Sequence, residues 1–317
     1  AKPALAMKTS LGPQDINALL APLTDAEQRF ARHFPGETGA RQPVHTVYGG
    51  AHLFKAGTAK KLGDLGLRAL ATYAPDPFAF ARAIDLPGSQ TLPSSLAEAE
   101  SVAKAVRENP ELARRTHRHA ALAVVLYDRI KEKLAREPIE DYRIDFEDGY
   151  GNRPDAEEDG HAVAAADETA KGMAEQVLSP FVGIRVKPLS AELRTRSIRT
   201  LDLYVTALSE KTGGKLPENF VVTLPKVMMP EQIVTLRGLF DALEKKTGLA
   251  PGALKMELMI ETTQAIFAAD GRVSLPSLID AGEGRVISAH FGTYDYTASC
   301  NVTAAHRGTQ RGLPRRS

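Results

Sequence analysis

The sequence predicts an α/β protein built as a (β/α)8 TIM barrel, and three observations lead to this prediction. From about residue 140 onward, short β-type runs alternate with helical stretches, which is typical of βα units on a parallel sheet. Ionisable residues recur near the C-terminal ends of the predicted strands, which in a barrel form the active-site face. Strand parity brings part of this set to one shared face. An open doubly wound sheet is the alternative, but it would spread the charges along a line, and the barrel is therefore favoured.

The first predicted strand is the β-branched and aromatic run HTVYGGA at residues 45–51, which is closed by glycines. Five more strands are predicted beyond residue 140: DYRIDFED (141–148), FVGIRVKPL (181–189), NFVVTLPKV (219–227), KMELMIET (255–262) and RVISAHFGTYD (285–295). Helical segments between them carry the expected start and stop residues, as in the segment with Pro230 in its first turn and Gly248 at its end.

The rest of the chain is assigned around this barrel. Residues 1–42 are interpreted as an N-terminal helical extension and residues 43–317 as the barrel domain. Residues 85–140 have helical periodicity and are interpreted as a helical insertion between the first two strands. The chain stops at Ser317, about twenty residues after Asp295, so we expect the barrel to be incomplete at its C-terminus. Exposed strand edges favour association, and we expect a homo-oligomer.

Composition excludes several classes of protein. With 317 residues, 43% of them hydrophobic, the chain has the composition of an ordinary globular protein. Its net charge of +1 lacks the excess of positive charge that is typical of nucleic-acid binding. Its longest apolar run, residues 120–127, is far shorter than the roughly 20 residues that span a bilayer. The single cysteine, Cys300, fits a reducing, cytoplasmic location and is expected to be a small packed side chain. His117 and His119 are expected to be surface or interhelical residues on a helix.

The charged residues at the predicted strand ends define a candidate site. They are Asp145, Glu147 and Asp148, then Arg185 and Lys187, then Lys226, Glu261 and Asp295. Two carboxylates from neighbouring strand ends, without His or Cys partners, suit Mg²⁺ or Mn²⁺, and Glu261 and Asp295 are chosen as this pair. A nearby Arg185 could stabilise a negative oxygen developing on a carbonyl, and the metal could polarise that oxygen. Together these residues predict a site that stabilises an enolate.

Five sequence segments then point to a known family. The run IDFEDGY (144–150) resembles the LDLEDAV segment of the HpcH/HpaI aldolase and citrate lyase β-subunit family. Four more segments follow in that family's order: IRVKP (184–188), LPKV (224–227), MIET (259–262) and FGTYDYTAS (291–299). The resemblance implies a barrel of the phosphoenolpyruvate/pyruvate type, related to malate synthase, and an Mg²⁺-dependent carbon–carbon lyase, aldolase or condensing activity.

The resemblance also implies roles for particular residues. Glu261 and Asp295 would bind the metal, and Arg185 would face the reacting carbonyl or enolate oxygen. Glu147 and Asp148 would order metal-bound water. Residues expected to contact the substrate are Arg185, Lys226, Gly292 and Thr293.

The sequence leaves alternatives open for the substrate, for the roles of several residues and for the function. The substrate would be a small carboxylate such as pyruvate or oxaloacetate, or an acyl-CoA, and the general base is not identified. Glu261 and Asp295 could instead be buried partners of barrel arginines, and Lys226 could pair with Glu261 or cap a helix. A non-catalytic barrel acting as an assembly or ligand-binding subunit is the main competing hypothesis. Phosphoryl chemistry on a phosphoenolpyruvate-like substrate is a weaker one.

Overall fold

The computed structural model describes residues 10–36 and 39–306, which belong to two compact units divided after Gln42. The described part of the first unit contains helix α1 (Pro13–His33). Its apolar residues recur at helical spacing, but none of its side chains is buried by the described part of the chain.

The second unit contains a parallel sheet with six strands among the described residues. They are β1 (Thr46–Gly50), β2 (Asp141–Asp145), β3 (Phe181–Arg185), β4 (Phe220–Leu224), β5 (Met256–Ile260) and β6 (Val286–Phe291). Each strand pairs in parallel with the next one in the chain, in the order β1-β2-β3-β4-β5-β6. A doubly wound sheet would reverse its strand order at a switch point, so that alternative is wrong for these strands.

The sheet is strongly curled. In a flat sheet, β1 and β6 would lie about 24 Å apart, since neighbouring strands are about 4.8 Å apart. Yet the Tyr48 hydroxyl on β1 lies 2.7 Å from Nδ1 of His290 on β6. The side chains of the first and last strands therefore meet across the interior, although no ladder of hydrogen bonds joins β1 to β6 within the described residues. What is observed is a curled α/β sheet, and its closure into an eight-stranded barrel stays a prediction.

Eleven further α-helices lie in the described part of the second unit. They are α2 (Thr58–Tyr73), α3 (Pro77–Ala83), α4 (Leu96–Glu108), α5 (Pro110–Thr116), α6 (Arg118–Arg136), α7 (Asp155–Glu175), α8 (Arg194–Thr212), α9 (Pro230–Thr247), α10 (Thr263–Ile266), α11 (Leu275–Ala281) and α12 (Thr293–Ser299). None of the helices in the described ranges is long and apolar enough to cross a bilayer.

Two apolar cores hold these elements together. The larger core joins the strands to α7, α8 and α9, with Ile184, Tyr204 and Leu224 among its fully buried members. The smaller core, which includes Phe78 and Val124, lies among α3, α4, α5 and α6. Helices α4, α5 and α6 lie within the stretch 85–140, and α3, which precedes this stretch, shares their core.

Ionic and hydrogen-bonded groups, rather than apolar ones, occupy much of the face of the sheet opposite α7, α8 and α9. Glu257 on β5 is only 1% exposed and accepts hydrogen bonds from Arg143 Nη2 at 3.0 Å, Thr223 Oγ1 at 2.7 Å and Ser288 Oγ at 2.8 Å. Arg143 also pairs with Asp141, which lies two residues earlier on the same strand and faces the same side of the sheet. Because every partner is hydrogen-bonded, this network can be buried at tolerable cost, and it links β2, β4, β5 and β6.

Candidate active site

A cavity of about 630 Å³ lies between β1 and the β5–β6 side of the sheet. Its walls include Tyr48 from β1, Arg185 at the end of β3 and Glu261 just after β5. Residues from the end of β6 and the start of α12 complete it: His290, Gly292, Thr293 and Asp295. Four parts of the chain that are distant in sequence thus contribute to one pocket.

Arg185 is held rigidly at the wall of this cavity. It lies beside Asp145 in the β2–β3 register, and its Nε and Nη2 donate to the two Asp145 carboxylate oxygens at 2.7 and 2.5 Å. Its Nη1 lies 3.1 Å from Glu147 Oε2, and its guanidinium stacks 4.6 Å from the centre of the Tyr48 ring. Burial alone would lower the pKa of Arg185, but the hydrogen bond with Asp145 and the negative charges of Asp145, Glu147 and Asp148 together outweigh it and hold the pKa above its ordinary value.

Asp145 therefore has a positioning role that the sequence could not assign. Its carboxylate binds Arg185 and also accepts hydrogen bonds from the backbone N–H groups of Glu147 at 2.9 Å and Gly149 at 2.8 Å. These bonds fold the chain back sharply after β2. They bring Glu147 into the interior, where it is 7% exposed, while Asp148 remains mostly exposed at the cavity wall.

Lys226 lies at the centre of the acidic residues. Its ammonium group pairs with Glu147 and lies 3.0 Å from Asp295 Oδ2 and 3.5 Å from Asp148 Oδ2. Burial lowers its pKa, but its interactions with Glu147, Asp295 and Glu261 together outweigh this, so the net shift in pKa is upward. Its backbone is left-handed, with φ of 51°, which is strained for a non-glycine residue and is often found at functional sites.

The strained backbone of Lys226 points its N–H at Glu261, whose Oε1 accepts this hydrogen bond at 2.7 Å. Glu261 is 4% exposed. Burial raises the pKa of Glu261 to about 7, and the negative charges of Asp295 and Glu147 add to the rise, while Lys226 partly offsets it. Burial, more than the neighbouring charges, is therefore why Glu261 holds its proton more tightly than an exposed glutamate does.

Gly292 allows Glu261 to occupy this position. A Cβ atom at residue 292 would lie 2.5 Å from the Glu261 Cβ and 2.6 Å from its Oε2. We expect Gly292→Ala to displace the Glu261 carboxylate and to lower the free energy of unfolding by about 1–3 kcal/mol through overpacking. Denaturant unfolding measures this change.

A matched glycine variant provides the control. No described atom lies within 4 Å of a Cβ built on Gly238, in the middle of α9. Gly238→Ala should leave stability unchanged or raise it by up to about 1 kcal/mol, because alanine favours helix. Equal behaviour of the two variants would contradict the close packing of Gly292 on Glu261.

The unusual pKa of Glu261 predicts a pH dependence of stability in metal-free buffer. Its folded-state pKa of about 7 lies above that of the unfolded chain, so the folded state binds this proton more tightly. The stabilisation is complete below the unfolded-state pKa of about 4.3 and is lost as the pH rises through about 7. Glu261→Gln removes the titrating group, so the variant should lose less stability than the wild type between about pH 5 and about pH 8.

Glu168 provides a control because its pKa is shifted in the opposite direction, downward. The backbone N–H of Ala56 lowers the pKa of Glu168, so its stabilising effect is lost only in acid. Glu168→Gln should change stability by the same amount at about pH 5 and about pH 8. A pH dependence in Glu261→Gln that matches the wild type would show that Glu261 titrates normally.

The residues around Glu261 fit the expected divalent cation in their chemistry. Glu261 and Asp295 are hard oxygen donors, and burial makes the negative charge of Glu261 costly unless a proton or a cation accompanies it. Within the described ranges, no three His, Cys, Asp or Glu side chains are grouped so as to enclose a metal ion. Two carboxylates with water and substrate oxygens are a usual way to hold Mg²⁺, so the donor set fits an ion that the substrate helps to bind.

The structure brings together most of the residues singled out in the sequence, with three differences. Asp295 lies in the first turn of α12 and not at the end of a strand. Lys187 turns away from the cavity and pairs with Glu158 on α7 at 2.9 Å, because β3 ends at Arg185 and the chain changes direction. Cys300, expected to be packed, is exposed.

His117 and His119 lie at the start of α6, where they line a second cavity among the helices, away from the strand ends. Tyr48 and His290, by contrast, were missed in the sequence although both line the main cavity. The signal that could have found them is strand parity, since His290 shares a strand face with Ser288 and Tyr48 lies in a short strand that ends in two glycines.

Comparison with known proteins gives a family. The chain belongs to the family described as "Domain of unknown function (DUF6986)", whose model matches residues 23–312. No curated protein matches the chain.

Three solved structures are similar over part of the chain. A citrate lyase from Burkholderia xenovorans LB400 is 20% identical with a TM-score of 0.39, and the match covers 51% of this chain and 42% of that one. The Haloferax volcanii malate synthase lead(II) complex is 18% identical with a TM-score of 0.39, covering 52% of this chain and 44% of that one. The pyruvate/acetyl-CoA ternary complex of the same malate synthase is 16% identical with a TM-score of 0.36, covering 52% and 42%. The matched part of this chain spans less than half the length of each of these proteins.

Proposed function

We propose that this protein is an Mg²⁺-dependent carbon–carbon lyase or aldolase that acts through an enolate of pyruvate, oxaloacetate or an acyl-CoA. The observation that carries the proposal is the meeting of a fixed guanidinium, Arg185, with the buried carboxylate of Glu261 and with Asp295 at one cavity. The sequence segments that resemble the aldolase and citrate lyase β-subunit family contain these same three residues.

Glu261 and Asp295 are the residues that would hold Mg²⁺ or Mn²⁺. When bound, the metal supplies a Lewis acid that polarises the substrate's carbonyl oxygen. Glu147, which is buried beside Arg185 and Lys226, and the exposed Asp148 would order water around this group.

Arg185 supplies the fixed positive charge that an enolate needs. Asp145 holds two of its nitrogens, so the guanidinium needs no rearrangement when negative charge develops on the substrate oxygen. Gly292 and Thr293 border the same space, and the Lys226 ammonium group lies 3.0 Å from Asp295, which also borders it. These three residues, Lys226, Gly292 and Thr293, would bind the substrate carboxylate or thioester group. The cavity, at about 630 Å³, has room for a small carboxylate.

Proton–deuterium exchange at the methyl group of pyruvate tests this function. The exchange is followed by NMR with and without Mg²⁺, and oxaloacetate and acetyl-CoA serve as parallel probes. We expect Mg²⁺-dependent exchange on at least one probe, and we expect Asp295→Asn to abolish it with the fold intact, because the variant keeps the shape of Asp295 but not its charge. Asp270→Asn, in the exposed turn between α10 and α11, is the matched control and should exchange like the wild type.

Two results would contradict the proposal. One is absence of exchange on all three probes from folded protein. The other is exchange that survives in Asp295→Asn.

A non-catalytic barrel is the second candidate, and one observation favours it. The Lys226 ammonium group already pairs with Glu147 and Asp295, as in a purely structural ion cluster. In that case Lys226→Met should destabilise the protein, since it removes one of the two cations beside the buried Glu147, and Mg²⁺ should not restore the lost stability. Under the enolate proposal, Mg²⁺ should restore part of it.

A further inference from the structure

Three side chains from three strands form a connected series beside the proposed site. The Tyr48 hydroxyl on β1 lies 2.7 Å from His290 Nδ1 on β6, and His290 Nε2 lies 3.4 Å from Glu257 Oε2 on β5. Tyr48 and His290 line the cavity, whereas Glu257 is buried behind them. The series therefore leads from the cavity wall into the interior.

The surroundings of Glu257 determine how protons are arranged in this series. Burial raises the pKa of Glu257, but Arg143 outweighs it, so the net shift is downward and Glu257 is ionised. An anionic carboxylate facing Nε2 favours a proton on that nitrogen, which leaves the lone pair of His290 Nδ1 to accept the Tyr48 hydroxyl. This matches the arrangement of a hydroxyl, an imidazole and a carboxylate in which the carboxylate orients the base.

Tyr48 is a protonated phenol in this setting. Burial raises its pKa, and the charge of Glu257 adds to the rise, while Arg143 and Arg185 oppose it and Asp141 reinforces it. Such a hydroxyl can give a proton, and it can take one only if another group removes its own. His290 Nδ1 lies 2.7 Å from the hydroxyl and is the nearer of two acceptors, since Glu257 Oε1 lies 3.4 Å away.

Tyr48 also lies next to the cation that would face the enolate. The Arg185 guanidinium packs 4.6 Å from the centre of the Tyr48 ring. A substrate oxygen bound by Arg185 would therefore have the Tyr48 ring and its hydroxyl as close neighbours.

We infer that Tyr48 is the proton-transfer residue of the proposed enolate site, with His290 as the base behind it and Glu257 as a positioning residue. The inference rests on the proposed function, and it supplies the acid and base that the sequence did not identify.

The proton and electron movements balance within the protein and substrate. In cleavage, the substrate's hydroxyl proton passes to the Tyr48 oxygen while the Tyr48 proton passes to His290 Nδ1. The electron pair of that O–H bond forms the new carbonyl, the carbon–carbon bond breaks, and its pair forms the enolate. The enolate carbon then takes the proton from Tyr48, and His290 returns its proton to Tyr48, so both residues end unchanged.

Two measurements on Tyr48→Phe separate proton transfer from binding. The first is the rate of Mg²⁺-dependent exchange of the pyruvate methyl protons, which we expect to fall about 100-fold or more, the usual contribution of general acid–base catalysis. The second is the affinity for oxalate in the presence of Mg²⁺, measured by calorimetry, because oxalate resembles the pyruvate enolate. It should change by less than about threefold, since the variant keeps the ring beneath Arg185.

Two further variants complete the design. Tyr127→Phe removes another buried hydroxyl, which donates to the Ala74 carbonyl at 2.9 Å among the helices, and should leave exchange unchanged. His290→Gln should slow exchange as Tyr48→Phe does, and it remains informative if Tyr48→Phe fails to fold. The role of Glu257 is read without a variant from the ¹⁵N NMR signals of His290, which should show a protonated Nε2 and an unprotonated Nδ1.

The outcomes distinguish this inference from the proposed function. Exchange in the wild type that persists in Tyr48→Phe and His290→Gln would overturn the inference and leave the proposed function standing. A protonated Nδ1 would overturn the positioning role of Glu257. Absence of exchange on all three probes in the folded wild type would overturn the proposed function, and the inference with it, whether or not oxalate binds.

Discussion

Replacing Arg185 by Lys is expected to slow Mg²⁺-dependent exchange of the pyruvate methyl protons about 100- to 1,000-fold, the usual cost of losing one fixed oxyanion partner. Lysine keeps the charge but loses the planar fork that binds both oxygens of Asp145. The ammonium group would then be free to rotate and would no longer stack on Tyr48. The rate is measured on protein whose fold has been checked by circular dichroism.

Arg153 is a matched control for this substitution. Its guanidinium also stacks on a tyrosine, 4.7 Å from the ring centre of Tyr150, and it pairs with Glu157, but it does not line the main cavity. Arg153→Lys should exchange at the wild-type rate. If Arg185→Lys and Arg153→Lys behaved alike, Arg185 could not be the partner of the enolate oxygen.

The second large effect concerns stability. Arg143→Met is expected to lower the free energy of unfolding by about 3–5 kcal/mol, because it leaves the buried carboxylates of Glu257 and Asp141 without their cation. The cost arises mainly from the unpaired charges and not from the lost attraction. Adding Glu257→Leu should therefore recover part of the stability, although Asp141 would still lack its cation and the hydroxyls of Thr223 and Ser288 would lose their acceptor.

Urea denaturation measures these changes, and an exposed ion pair provides the control. Arg107 on α4 makes two hydrogen bonds of 2.8 Å to Asp128 on α6, but both side chains are nearly half exposed. Arg107→Met should cost no more than about 1 kcal/mol, since water solvates the remaining carboxylate. Equal losses from the two variants would mean that burial does not set the cost of breaking the pair between Arg143 and Glu257.

Much of the fold could be predicted because it depends on local pattern. Each predicted strand contains an observed one, and the charged residues Arg185 and Glu261 lie at or just beyond strand ends as expected. Lys187 was placed wrongly because strand parity holds only while the strand continues, and β3 ends two residues earlier. Asp295 lies in a short helix for a related reason, since β6 ends at Phe291.

The contact between Tyr48 and His290 could not be predicted because it depends on the curvature of the whole sheet. Tyr48 and His290 lie 242 residues apart, on the first and last strands of the observed sheet. Nothing in either local sequence requires them to meet. Their contact follows from the twist and coiling of six paired strands, which single-strand patterns do not encode.

Electron paramagnetic resonance of bound Mn²⁺ can show whether Glu261 and Asp295 form a divalent-cation site. We expect saturable Mn²⁺ binding by the wild type, and we expect Mg²⁺ to displace the Mn²⁺. Changes to residues that only contact the metal ligands already cost metal sites about 10- to 100-fold in affinity. Glu261→Gln and Asp295→Asn should therefore each weaken Mn²⁺ binding by about 100-fold or more, while Glu168→Gln should not. Absence of saturable Mn²⁺ binding, or binding that survives in both Glu261→Gln and Asp295→Asn, would rule out a cation site at these two residues and favour an ion cluster closed by Lys226.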